Sequence, residues 1–248
     1  MNASDLLTDG TVALRTLYSP ASALGRLGSA PRAGMALALA TLLALAAAAV
    51  VVPRTDFGPG QVAVEKKDDG QPAPEPTQFE REQSAATARK LGQVSGWAYA
   101  ALGPTLLAAG AACALLLGFR TAGVNTSYQP TLAVAAHGML PLWIGRVLAV
   151  PAALLHAPLP EKELAHLLPA SPAALLPPDA SPLLLGALSG LDLFSLWAVL
   201  LVALGMARVT GASRTRALST TLALYAAYVV VFQVALPSLT ARPSPPPP

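Results

Sequence analysis

Two charges stand inside otherwise apolar stretches of this 248-residue chain, Arg146 and Asp192, and they are the residues whose type and position could carry chemistry. A charge in a hydrocarbon setting is costly, so such a group locks a structure, lines a substrate or proton route, or reaches outward to water. Arg146 precedes the end of its stretch, Leu155, by nine residues, and Asp192 follows the start of its own, Leu183, by nine. If both stretches cross a membrane in opposite directions, the two groups share a depth, and an ion pair would offset much of their desolvation cost. A second arrangement fits the same residues. Ser189 stands three positions before Asp192, the spacing of a capping box, with Asp in place of the usual Glu. A helix break near Gly190 would then bring Asp192 to the interface and the helix dipole, and Arg146 would extend its head outward to water.

His137 lies beside Gly138 in the same stretch as Arg146 and has no evident partner in sequence, as a polar helix contact would. His156 and His166 share a segment with Glu161 and Glu163, but the spacing fits none of the usual zinc arrangements. Cys113 is the one cysteine, so neither an internal disulfide nor a cysteine-rich metal site forms. The chain has no phosphate-binding loop ending in Gly-Lys-Ser or Gly-Lys-Thr, no His-Glu-x-x-His and no Gly-x-Ser-x-Gly. Nothing supports an enzyme, and no cofactor is expected.

The elements that must hold these groups are long apolar runs. Residues 34–52 contain no charge over 19 positions, which at about 1.5 Å per residue matches the hydrocarbon core of a bilayer. Four further runs follow at 94–119, 131–155, 183–209 and 217–236, giving an all-α transmembrane bundle of five spans. Gly103-Pro104 should kink the second. Pro141 and Pro151 fall in the third, where freed carbonyls must be satisfied by neighbours, so that span should pack inside the bundle. Gly186 and Gly190 form a GxxxG pair suited to close helix approach. Composition agrees: 54% of residues are hydrophobic and 12% charged, which excludes an ordinary soluble domain. The net charge of +3 comes from dispersed residues beside the spans, so nucleic acid is not expected as a partner.

The segment 1–33 is too long and polar before the first run for a cleaved signal, and a retained span is expected. It carries Arg15, Arg26 and Arg32, and the link between the fourth and fifth runs carries Arg208, Arg214 and Arg216. Both should be cytoplasmic by the positive-inside rule, leaving the C-terminus outside. The loop 53–93 is rich in proline and charge, unable to bury a core, and gains helix formers from Phe79. The tail 237–248 is proline-rich and reads as an extended end.

The segment Leu191-Asp192-Leu193-Phe194-Ser195-Leu196-Trp197, then Gly205 and Arg214-Thr215-Arg216-Ala217, resembles the late signature of the Yip family of multispanning membrane proteins, its bacterial branch most. Leu17-Tyr18-Ser19-Pro20 before the first span and the broken third span with Pro141 are similar to the same pattern, and the likeness runs over residues 14–236. The resemblance implies a five-helix domain with a cytoplasmic N-terminus, and marks Pro20, Pro141, Asp192, Phe194, Trp197, Gly205 and Arg216 as motif positions. Eukaryotic members are associated with Rab-type GTPases and vesicle traffic, which implies a scaffold that recruits partners. This chain departs in its short N-terminal segment and its long, proline-rich outer loop.

Two readings follow. In the first the protein is a non-catalytic scaffold, whose Asp192, Trp197 and Arg216 maintain the helices while the cytoplasmic arginines meet anionic lipid or a protein partner. In the second it is a small permease or channel component, with Arg146, Asp192 and His137 along a polar path and a homo-oligomer supplying the symmetry that five spans lack. Alanine, leucine and proline enrichment with few lysines points to a bacterial cytoplasmic membrane as the location.

Overall fold

The computed structural model describes residues 3–57, 77–155, 158–160, 167–177 and 180–236. Two short N-terminal helices, α1 (Ala3–Tyr18) and α2 (Pro20–Arg26), precede the first span, α3 (Gly34–Val51). The second span belongs to α4 (Gln78–Thr121). The third is divided into α5 (Tyr128–Gly138), α6 (Leu140–Leu148) and α7 (Val150–Leu155). Helix α8 (Pro182–Ser189) leads to α9 (Leu193–Thr210), and α10 (Arg214–Tyr228) runs into a π-helical stretch, Val229–Ala235. Among the described residues five helical segments are long and apolar enough to cross a membrane, as the sequence predicts. Thr55–Asp56 and Leu159–Pro160 form a minimal parallel strand pair, β1 and β2.

The helices assemble on small residues. Ala36, Ala40, Ala44 and Ala48 recur every fourth position on α3 and are buried with Ala100, Ala108, Ala136, Leu140 and Trp143. Lipid is as apolar as any side chain, so close backbone approach rather than water exclusion holds such a seam. On α4 the buried positions Ala100, Pro104, Ala108, Ala112, Leu115 and Phe119 continue the rule. The helix persists through Gly103-Pro104, and α5 and α6 sit at the centre, packed against α3, α4 and α9.

The structure refines the spans at four places. Helix α4 is one element of 44 residues, in which the helix formers from Phe79 run on into the second span. It begins at a full capping box in which Thr77 Oγ1 accepts the Glu80 N–H and the Glu80 carboxylate accepts the Thr77 N–H. At about 1.5 Å per residue it is roughly 66 Å long, so its first turns project beyond any bilayer core. The third run is broken where proline dictates. Pro141 opens α6 and has no N–H for the His137 carbonyl, and the Met139 N–H donates to Ala135 at 3.0 Å. Before Pro151 the Ala149 N–H donates to Gly145 at 3.0 Å. The fourth run, expected over 183–209, is interrupted at 190–192. The fifth begins earlier than 217, at Arg214, and its last turns adopt π rather than α geometry.

The N-terminal segment is folded onto the bundle. Val12, Leu24 and Leu27 are buried against Leu115, Phe119, Ala133, Val134 and Met206. Helix α2 packs on α9 and on α1, and α1 reaches α3 and the edge of α5. The loop centre, His156, His166, Glu161, Glu163 and the tail 237–248 lie outside the described residues. Among the described residues no group of His, Cys, Asp and Glu is arranged to hold a metal.

Candidate functional site

At the end of the bundle far from α1, the break between α8 and α9 is built around Asp192. Its Oδ1 accepts the N–H groups of Phe194 and Ser195, each at 3.0 Å, so Asp192 is itself the N-cap of α9. The capping expectation is right in kind and shifted in register, because Ser189 ends α8 instead of opening α9. Two neighbours fix the break. The Tyr225 hydroxyl donates to the Gly190 carbonyl, and the Leu193 N–H donates to the Ala170 carbonyl at 2.9 Å. A carboxylate here meets the positive end of the α9 dipole and satisfies donors that the helix start leaves open.

Arg146 lies at the same end. A Cβ placed on Gly145 would stand 2.8 Å from the Phe194 ring, so α6 and the start of α9 touch. Arg146 and Asp192 therefore stand on touching elements, yet they form neither a hydrogen bond nor an ion pair with each other. Arg146 Nη2 donates to the Tyr99 hydroxyl at 3.1 Å, and its guanidinium carbon lies 5.0 Å from the Tyr99 ring centre and 5.7 Å from that of Trp143. Tyr99 and Trp143 are tilted with centroids 6.3 Å apart. A cation seated on aromatic faces with an exposed head is the arrangement of a snorkelling arginine at a membrane interface. Gly103 makes room for it, since a Cβ there would come within 3.3 Å of the Tyr99 ring.

The remaining motif positions serve packing and turns. Gly205 receives Val134, whose Cγ1 would lie 2.6 Å from an added Cβ, and Gly138 receives Val202 at the same distance. With Gly145 against Phe194, these contacts zip α5 and α6 antiparallel to α9. Trp197 is half-buried, Pro141 is fully buried and Pro20 opens α2. Gly186 and Gly190 abut Gln233 and Val229, so the GxxxG pair seats α8 on the π-helical stretch. Cys113 is a free, exposed thiol.

The α1 end is basic. Arg15, Arg26, Arg32, Arg120, Arg208, Arg214 and Arg216 are all exposed there. Two short links close this end, each with a glycine at positive φ: Gly123 at 75° and Gly211 at 71°. Arg120 donates through Nε and Nη2 to the Thr126 carbonyl, and Ser213 Oγ caps α10 by accepting the Arg216 N–H. Sequence reasoning missed Gly211 and Gly123, although a glycine between an apolar run and a basic turn is a helix-stop signal.

It also missed a cavity of about 210 Å³ beneath α1 and α2, lined by Asp9, Val12, Arg26, Leu27, Ser29, Ala30, Arg32 and His137. Arg32 Nη1 pairs with Asp9 Oδ2 at 3.2 Å. His137 is 2% exposed and its Nδ1 lies 2.8 Å from the Ala133 carbonyl. A carbonyl only accepts, so Nδ1 carries the proton. Arg146, Asp192 and His137 thus occupy three separate settings.

Neither a curated protein nor a solved structure matches the chain. The family model of the Yip1 domain does, over residues 14–236, and the chain belongs to that family of membrane proteins.

Proposed function

We propose that the protein is a non-catalytic membrane scaffold that recruits a partner at the α1 end of its bundle. The observation that carries this reading is the rim of exposed arginines there, presented by two short links and by helices packed against the core. Positive-inside charge bias supports insertion with this rim in the cytoplasm and the C-terminus outside. Composition supports a bacterial cytoplasmic membrane. Anionic lipid and a membrane or cytoplasmic protein are the partners suited to such a rim.

The polar groups within the spans support the same reading. Asp192 caps a helix, Arg146 sits on two aromatic rings, and His137 binds backbone, so each is engaged in holding the bundle. The test is cross-linking in native membranes from a photoreactive residue at Arg216, with captured proteins identified by mass spectrometry. One recurring protein partner is the expected result. Capture of lipid or of further copies of the chain alone would overturn the recruiting role and turn the question to flux through an assembly. Sidedness is checked separately, by labelling a cysteine placed at Ser213 from either face of sealed vesicles.

A further inference from the structure

We propose that the cavity under α1 and α2 is a headgroup site for a lipid that joins a phosphodiester to a primary ammonium. The proposal rests on the embedding of the chain in a membrane and not on its recruiting a partner. The cavity lies between α1, the segment 26–32 and His137 of α5, level with the start of the first span, and so at the depth of headgroups. Its volume, about 210 Å³, is below the roughly 300–1,000 Å³ of sites for drug-sized molecules and suits a headgroup.

Its wall holds both donors and acceptors. Arg26 and Arg32 supply guanidinium donors. Arg26 has no side-chain partner among the described residues, and Arg32 commits one nitrogen to Asp9. A phosphodiester is the anion at this depth, and arginine forks bind its oxygens with charge-assisted hydrogen bonds. The acceptors line the same cavity. Asp9 is a carboxylate whose side chain is 18% exposed, with one oxygen held by Arg32, and it shares the wall with His137. With Nδ1 donating to Ala133, the neutral His137 ring presents Nε2 as a lone pair, and that nitrogen has no partner among the described residues.

A bare phosphate would satisfy the arginines and leave His137 Nε2, and the Asp9 oxygen not held by Arg32, without a donor. An ammonium a few bonds from the phosphate supplies N–H donors to both. A quaternary ammonium carries the same charge and no N–H, so the site should tell the two headgroups apart.

The full-length protein in mixed micelles with equal amounts of phosphatidylethanolamine, phosphatidylcholine and diacylglycerol, read by native mass spectrometry, tests this. One tightly retained phosphatidylethanolamine is expected, at least about tenfold over phosphatidylcholine and more over diacylglycerol. Arg26→Gln with Arg32→Gln should lower its retention about tenfold or more, and Asp9→Asn should collapse the preference between the two phospholipids. Arg208→Gln with Arg216→Gln, at the same end and outside the cavity, should change neither. Equal retention of the two phospholipids by the wild type, or undiminished retention by the double arginine variant, would overturn the proposal.

Wild-type protein labelled with a headgroup-diazirine phosphatidylethanolamine gives a readout that no variant's folding can confound. Label within residues 9–32 or 133–140 supports the site, and label confined elsewhere refutes it. Displacement of that label by soluble phosphoethanolamine would assign the same chemistry to a water-soluble ligand, and persistence of the label assigns it to the lipid.

Discussion

Removing the Asp192 carboxylate distinguishes a helix cap from one half of an ion pair, and the two give different energies. Asp192 Oδ1 accepts two N–H groups at 3.0 Å, so Asp192→Ala leaves both without an acceptor at the start of α9. Loss of an N-cap costs about 0.5–2 kcal/mol, and loss of a negative charge at a helix N-terminus a further ~0.3–1 kcal/mol. Asp192→Asn keeps the cap and forfeits only the second part. Arg146→Leu removes one hydrogen bond to Tyr99 and the contact with two rings, about 1–2 kcal/mol together. Because the two side chains share no partner, the double variant should lose the sum, with a coupling below about 0.5 kcal/mol. A buried ion pair behaves otherwise, since each single loss costs about 3–5 kcal/mol and the double apolar replacement recovers much of it. Reversible unfolding in mixed micelles, followed by Trp143 and Trp197 fluorescence, measures all four corners of the cycle. A coupling above about 1.5 kcal/mol, or Asp192→Asn as damaging as Asp192→Ala, would refute the cap.

Gly205→Ala should destabilise the bundle by about 1–3 kcal/mol through overlap with Val134, and Val134→Ala in the same chain should restore part of the loss in that unfolding assay. Gly211→Ala, at φ 71° with open space around it, should cost about 1–2 kcal/mol from backbone strain alone, with no rescue by any neighbouring truncation. Thr77→Ala should leave the spans unchanged and speed amide exchange in the first turns of α4, where the capping box is lost.

The spans were legible because apolar length is a one-dimensional property: 34–52 reads directly as α3 with its terminal turn. The prolines of the third span were legible as disruptions, and the structure divides that span at them into α5, α6 and α7. Asp192 was legible as a cap, whereas its register depended on Gly190, whose carbonyl is held by Tyr225 from 35 residues away. The aromatic seat of Arg146 needed Tyr99, 47 residues distant, and nothing in local spacing names it. The docking of α1 and α2 was missed for a related reason. Their polar segment carries buried Val12, Leu24 and Leu27, but the partners that bury them, Leu115, Phe119, Val134 and Met206, lie on α4, α5 and α9, far along the chain. The cavity that results joins residues from 9 to 137.

Helix α9 has a fixed length. Asp192 closes it at one end and Gly211, in the left-handed conformation, at the other, so its 18 residues span about 27 Å with no turn to spare. A typical hydrocarbon core is about 30 Å thick. The helix that α5 and α6 are zipped against is therefore a gauge set slightly short. In a thicker bilayer the lipids around α9 must thin, or the Asp192 cap is drawn toward the hydrocarbon at a cost of fractions of a kcal/mol per ångström. Measured by α9 alone, the thinner regions of a membrane are the better match.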